Sequence, residues 1–320
     1  MGEFELIDRF FSQLGARRRD VALGVGDDAA LLNVPAGQQL VACVDTLVAG
    51  RHFPADTAAS DIGWRALAVN LSDLAAMGAT PTWALLALTL PAADEDWLEG
   101  FAGGFAQLAR AHGVALVGGD TTAGPLTISV HALGCVAPGT ALRRDGARPG
   151  DLVYVTGWLG DAAAGLALLQ GRLQGSGADR SVLEAKFRRP EPRVAFGTAL
   201  RGIASACIDV SDGLAADLGR LAQASGVGAQ IRAEELPLSR ALYGLAGEAR
   251  AREFALGGGD DYELAFSVPP TRRTALAQAA AASGAPACHC IGEIVAGRGL
   301  RVLGIHGELP PPPGWDHFAA

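Results

Sequence analysis

Aspartates recur in this chain beside Gly, Ser or Thr, each just after a short apolar run. The sites are Gly26-Asp27-Asp28, Val44-Asp45-Thr46, Leu71-Ser72-Asp73, Gly118-Gly119-Asp120-Thr121-Thr122, Asp209-Val210-Ser211-Asp212-Gly213 and Gly258-Gly259-Asp260-Asp261. An apolar run that ends in a small-residue turn delivers a side chain to a cleft. Carboxylates gathered there repel one another unless cations neutralise them. Hard cations with oxygen ligands do this, and Mg²⁺ above all also binds phosphates. The pattern reads as Mg-nucleotide chemistry, although no GxxxxGK(S/T) phosphate loop is present.

Each site also admits a plainer role. Asp27-Asp28 fits a solvated hairpin turn. If the strands at 21–25 and 40–44 are neighbours in one sheet, Asp28 and Asp45 reach the same edge and can bridge paired metals. Asn70 and Asp73 share one face of a largely apolar helix. An acid near a helix C-terminus opposes the macrodipole, which favours a functional reading of Asp73. Gly118 and Gly119 expose backbone amides able to cradle phosphate oxygens, with Asp120 beside them. Ser211 or Asp212 stands where a helix cap is expected. Asp209 follows the apolar Ala206-Cys207-Ile208 and is harder to assign to a cap. Arg143 and Arg144 read equally as phosphate clamps or a solvated basic turn. His52 is a lone histidine after Gly50-Arg51, and Trp315 sits in a proline-gated tail, where it anchors the tail or stacks on a flat ligand. Cys288-His289-Cys290 reads as a strand with alternating faces, because no second ligand pair exists.

The elements that must carry these residues follow from periodicity and turn chemistry. Phe4, Ile7, Phe10, Phe11 and Leu14 predict an opening helix. Strands follow at 21–25, 29–34 and 40–44, then a helix from Ser60-Asp61 to Gly78, a strand at 83–90, a helix at 94–112, and strands at 114–117 and 126–136. That order predicts an α+β domain with one open sheet. Residues 137–150 read as a linker or long turn. Beyond them come strands at 152–155, 206–210, 262–268, 291–295 and 300–303, and helices at 161–170, 214–224 and 272–282. Residues 171–179 read as a polar loop, and the tail ends in Trp315, Asp316, His317 and Phe318.

At 320 residues the chain accommodates two domains, expected at 1–137 and 138–320. A net charge of −8 argues against nucleic acid or an anionic membrane as the main partner. It leaves a phosphorylated substrate open, because bound Mg²⁺ reverses the local sign. The amino end shows no secretory pattern, and Trp83–Leu90 is too short to span a bilayer. Five scattered cysteines fit reduced thiols and a cytoplasmic location.

Five segments together resemble thiamine-monophosphate kinase, of the superfamily that includes aminoimidazole ribonucleotide synthetase and selenophosphate synthetase. They run from Gly24 to Leu32, Val44 to Phe53, Ala66 to Gly78, Gly118 to Thr122 and Ile208 to Leu214. The sibling enzymes lack the Asp-Thr-Leu-Val-x-x-x-His-Phe segment found here at 45–53, and no glycine-rich segment with a reactive Cys and Lys precedes Asp27. The resemblance implies a two-domain fold with mixed open sheets covered by helices, and ATP-dependent phosphorylation of thiamine monophosphate to thiamine diphosphate. It implies several Mg²⁺ ions held by Asp28, Asp45, Asp73, Asp120 and Asp209, with Asp212 on a further one and Cys43 and Val44 at ligand positions. It places Gly119, Asp120, Arg144 and Ser211 at the nucleotide, and His52, Asp260 and Trp315 near the thiamine substrate. It also implies a homodimer joined through the amino domains, with ATP near that junction. Cys43-Val44 departs from the family's frequent hydroxyl residues, and Asp260 stands where Glu is frequent. Two other readings are a sibling ATP enzyme acting on another small molecule and a non-catalytic Ca²⁺-binding protein. The second would call for an EF-hand loop or acidic arrays, and neither is present.

Overall fold

The computed structural model describes residues 2–284 and 286–315. Two compact units divide the chain. The first holds the residues up to Leu74 and Ala79–Gly139; the second holds Ala75–Gly78 and the residues from Thr140 onward.

The first unit runs α1 (Glu3–Phe10), β1 (Val21–Leu23), β2 (Leu31–Leu32), β3 (Gln39–Val48), α2 (Ala59–Ala76), β4 (Thr80–Leu90), α3 (Glu95–Ala111), β5 (Ala115–Ala123) and β6 (Thr127–Val136). This is the element order that the sequence predicts. The sheet plan differs. Four strands form one sheet in the order β3-β6-β4-β5, and β1 pairs only with β2 in a separate ladder. The expectation of one open sheet is therefore corrected, and the condition that would bring Asp28 and Asp45 to one edge, β1 beside β3, is not met. β3 pairs with β6 over its full ten residues, from Gln39↔Val136 to Val48↔Thr127. A three-residue strand with an irregular register offers far fewer ladder bonds than this.

α2 is apolar around most of its circumference, with Leu67, Ala68, Leu71 and Leu74 all inaccessible to solvent. Such a helix belongs in a core rather than on a surface. Gly78 follows it with a φ of 63°, the left-handed conformation common just past a helix end. α3 begins where the Asp94 carboxylate accepts the Trp97 amide.

The second unit runs β7 (Leu152–Thr156), α4 (Asp161–Leu169), α5 (Gly177–Arg188), α6 (Val194–Ala199), β8 (Ala206–Asp209), α7 (Leu214–Ser225), β9 (Gly228–Arg232), α8 (Arg240–Gly257), β10 (Leu264–Val268), α9 (Arg273–Ser283), β11 (Cys288–Val295), β12 (Gly299–Gly304) and β13 (Gly307–Leu309). Its seven strands lie in the order β13-β12-β9-β11-β7-β10-β8. Among the described residues only the β12–β9 pair is parallel in this sheet, which is therefore mixed. Val153, Val155, Ile208, Ile231 and Ile291 pack with Leu214, Leu218 and Leu221 of α7 as its core. The sequence pattern assigns no element to residues 228–257, which form β9 and the kinked α8. α5 also begins inside the segment read as a polar loop.

The five cysteines are free thiols. Among the described residues no helix is long and apolar enough to cross a membrane. Asp316, His317 and Phe318 lie outside the described residues.

Asp161 opens α4 in a buried position and accepts the Ser239 hydroxyl at 2.6 Å. Burial pushes its carboxyl up to about 6, against the opposing pull of Ser239 and Lys186. The folded state then holds this proton more tightly than the unfolded chain. The resulting stability is present at low pH and is lost as pH rises through about 6. Asp161→Asn keeps an acceptor for Ser239 and removes that loss. We expect urea denaturation to show the variant more stable than the native chain at pH 8, by on the order of 2 kcal/mol, with the gap closing below pH 4.

Candidate active site

In the first unit, Asn70 organises one group of acids. It is fully buried on α2, and its Nδ2 donates to the Ala66 carbonyl one turn earlier. Its Oδ1 accepts the backbone N–H of Asp45 at 3.1 Å. That bond ties the middle of β3 to α2. The Cys43 thiol donates to the Asn70 carbonyl as well. Burial pushes this thiol far up, and the nearby Asp73 and Asp45 carboxylates push it further, so Cys43 stays protonated. Asp45 and Asp73 thus share one neighbourhood. The i, i+3 reading of Asn70 and Asp73 is what the helix delivers, with Asn70 as the tie. His52 closes the turn after β3, where its Nδ1 accepts the Val48 N–H at 2.9 Å.

A second group lines a cavity of about 360 Å³ in the same unit. Its rim carries Asp27, Asp28, Asp120, Thr121 and the backbone of Gly118-Gly119, and its floor is apolar, from Ile7, Phe11, Leu86 and Leu116. Asp27 accepts the Asp28 N–H and so braces the turn that carries Asp28. Gly119 sits opposite Leu86 with a φ of 153°, and a Cβ there would fall 1.8 Å from the Leu86 carbonyl oxygen. Only glycine allows β5 to run this close to β4 while its backbone faces the cavity.

Strand register separates these two groups. Asp45 pairs with Val130, Val130 with Leu86, and Leu86 with Gly119. Asp45 and Gly119-Asp120 therefore lie on opposite edge strands, three strand spacings or roughly 14 Å apart. Among the described residues no three His, Cys, Asp or Glu side chains gather closely enough to hold a metal.

In the second unit, three distant segments meet at residues 210–213. The Asp260 N–H donates to the Ser211 carbonyl at 2.9 Å, and the Tyr262 N–H to the Val210 carbonyl at 2.9 Å. The Trp315 N–H donates to the Asp212 carbonyl at 3.0 Å. Asp209, Ser211, Asp212, Asp260 and Trp315 are thereby brought together, although up to 106 positions separate them in the chain. Asp260 and Tyr262 hold left-handed backbone at φ 73° and 51°, a conformation that side chains other than glycine's adopt at a cost of about 1–3 kcal/mol. Asp261 anchors this loop, because its carboxylate accepts the Gly160 and Ala162 amides at the start of α4. Glu263 is buried in a bidentate pair with Arg193 and accepts the Thr156 hydroxyl.

Sequence reasoning expected Ser211 or Asp212 to cap α7, and the structure corrects this. Gly213 is the N-cap and offers no side chain. Asp217, in the first turn of α7, accepts the Ser211 and Asp212 amides instead, at 3.0 and 2.9 Å. An aspartate in a helix's first turn was the available signal for this residue. The basic pair also divides: Arg143 is spent on Asp145, while the exposed Arg144 side chain makes no hydrogen bond or ion pair among the described residues.

The donors at these sites are carboxylate, hydroxyl and backbone oxygens, which suit Mg²⁺. This ion is ordinarily held by one or two carboxylates plus phosphate oxygens and water, so paired acids without a closed protein cage fit it. The thiol of Cys43 does not fit.

A cavity lined by acids and glycines, on a fold of two units with mixed sheets, suits a protein that handles phosphates. Family comparison agrees. Residues 26–136 match the AIR synthase related protein N-terminal domain and residues 148–305 the corresponding C-terminal domain. The thiamine-monophosphate kinase of Escherichia coli K12 is 51% identical over 99% of this chain and 98% of that protein. The crystal structure of thiamine-monophosphate kinase from Stenotrophomonas maltophilia K279a is 52% identical, with a TM-score of 0.85 over 89% of this chain and 92% of that one. AaThiL complexed with AMPPCP and TMP is 34% identical, with a TM-score of 0.80 over 92% of each chain. The chain belongs to the thiamine-monophosphate kinase family.

Gly119 provides a direct check on the cavity. Gly119→Ala forces the β4–β5 contact apart and lowers stability by more than about 1 kcal/mol. We expect chemical denaturation to show that loss, and equilibrium dialysis to show at least tenfold weaker binding of a non-hydrolysable ATP analogue.

Proposed function

We propose that this chain transfers the terminal phosphoryl group of ATP to thiamine monophosphate, yielding thiamine diphosphate and ADP. The observation that carries the reading is the placement of Asp45 and Asp73 beside Cys43 and of Asp28 and Asp120 on one cavity, together with identity of about half the chain to thiamine-monophosphate kinases. A phosphate oxygen of the acceptor forms the new P–O bond while the bond from the terminal phosphorus to ADP breaks. The acceptor monoester is mostly ionised at neutral pH and needs no general base. Repulsion between two anions and charge in a loose transition state make up the barrier. When bound, Mg²⁺ supplies charge neutralisation and a template for the phosphate oxygens.

The residue roles follow from this chemistry. Asp28, Asp45, Asp73, Asp120, Asp209 and Asp212 are the metal-holding acids, with the Val44 carbonyl as a further oxygen. Gly119, Asp120, Ser211 and Arg144 face the nucleotide. Arg144 suits the clamp because no neighbouring acid occupies it. His52, Asp260 and Trp315 take the thiamine substrate, whose cationic ring suits an exposed indole. Transfer is direct and in line, without a phosphoenzyme, and takes place in the cytoplasm.

A pair of chains completes the site in this reading. β3 is an edge strand of the first unit's sheet, and among the described residues its outer side has no strand partner; Leu40 is 46% and Val44 52% exposed. An edge strand with exposed apolar residues calls for a cover. A second copy joined there brings the acids of one edge to those of the other.

Two measurements test these statements. In a coupled assay for thiamine diphosphate, Asp73→Asn should lower turnover at least 100-fold with the melting temperature unchanged within a few degrees. A labelled phospho-residue trapped from radioactive ATP would instead refute direct transfer. Leu40→Glu should convert a two-chain species to a single chain in sedimentation analysis and abolish turnover with it; full activity in the single chain would remove the pair from the mechanism.

A further inference from the structure

Asp217 takes part in none of the roles above, yet it is 1% exposed and ionisable. Burying a carboxylate is costly unless donors compensate it. Here they do. Its Oδ2 accepts the N–H groups of both Ser211 and Asp212, and its Oδ1 accepts Arg220 at 2.6 Å. Arg220 also reaches the Asp212 carboxylate at 2.5 Å. The two amides that would otherwise point outward from the start of α7 are therefore consumed from inside the helix.

The carbonyls of the same short loop are consumed from the other side. Val210, Ser211 and Asp212 accept, in turn, the amides of Tyr262, Asp260 and Trp315. The contacts are close. A Cβ on Gly259 would fall 2.4 Å from the Ser211 carbonyl oxygen, and one on Gly314 would fall 2.3 Å from the Ala216 Cβ. Little slack remains in either segment. If residues 211–212 rotate, the acceptors for Asp260 and Trp315 rotate with them.

We infer that Asp217 is a positioning residue for both substrates: by fixing the 210–213 loop it places Ser211 and Asp212 on the nucleotide side and Asp260 and Trp315 on the thiamine side. This rests on the proposed roles of those four residues. A carboxylate serving only to stabilise α7 would have no reason to affect two ligands together.

The test begins with the native full-length chain, whose turnover of thiamine monophosphate establishes the underlying reading independently. Hydrogen exchange is then followed in the substrate-free and metal-free protein. In Asp217→Ala, the amides of residues 211, 212, 260, 262 and 315 should exchange at least tenfold faster as one group. The same variant should raise KM for ATP and KM for thiamine monophosphate by tenfold or more each. Asp217→Asn keeps an acceptor for the two loop amides. It should restore native exchange at those positions and hold both KM values within about threefold of native. Faster exchange confined to α7, or a lower melting temperature with both KM values unchanged, would overturn the inference. So would a rise in only one KM. If the alanine chain does not fold, the asparagine chain decides alone: a tenfold rise in either KM would show that charge, not loop geometry, is what Asp217 supplies.

Discussion

Like charges must be held together here before any chemistry can occur. Two phosphate-bearing molecules, both of them anions at neutral pH, have to meet. Their mutual repulsion falls only where cations and oriented amides neutralise it, and that requirement shapes the whole arrangement. It explains why the acids stand in pairs with oxygen donors around them. It also explains why glycine backbone stands beside the acids of the first unit's cavity.

The fold meets this requirement by spending other polar groups as braces. Asn70 fixes Asp45, Asp27 fixes Asp28, Asp261 fixes the loop of Asp260, and Asp217 fixes the loop of Ser211 and Asp212. In each case a side chain accepts one or more backbone amides and so fixes the residue that carries a proposed ligand role. Adjacent aspartates divide their labour this way at 27–28 and 260–261. Burial raises the carboxyls of Asp217 and Asp261; backbone amides oppose the rise in both. Where the donors are buried, as at Asp217 and Asp261, such a brace is costly to break because the freed amides cannot reach water.

The same economy governs the sheets. β3 is an edge strand with one face turned to α2 through Val41, Cys43 and Asp45 and the other left open through Leu40, Ala42 and Val44. Strict alternation makes Asp45 point toward Asn70 and leaves the apolar set outward. An edge built for function in this way also carries an exposed surface, and the proposed pairing of chains resolves both features at once.

The sequence alone determined the types of group and their local settings. Apolar runs ending at Asp45, Asp120 and Asp209 placed these acids on strands, and the helical spacing of Asn70 and Asp73 put them on one face, because period-2 and period-3.6 patterns are properties of the local backbone. The first unit's element order was legible for the same reason. Tertiary structure decided which strands became neighbours. Local pattern could not show that β1 pairs with β2, nor that Asp45 and Asp120 fall on opposite edges, since register depends on ladder bonds between segments far apart in the chain. Nor could it show that Asp217 caps the loop before its own helix, or that residues 210–213 receive the amides of Asp260, Tyr262 and Trp315. Those bonds exist only once β8, β10 and the tail converge, and burial then makes each of them expensive to leave unmade.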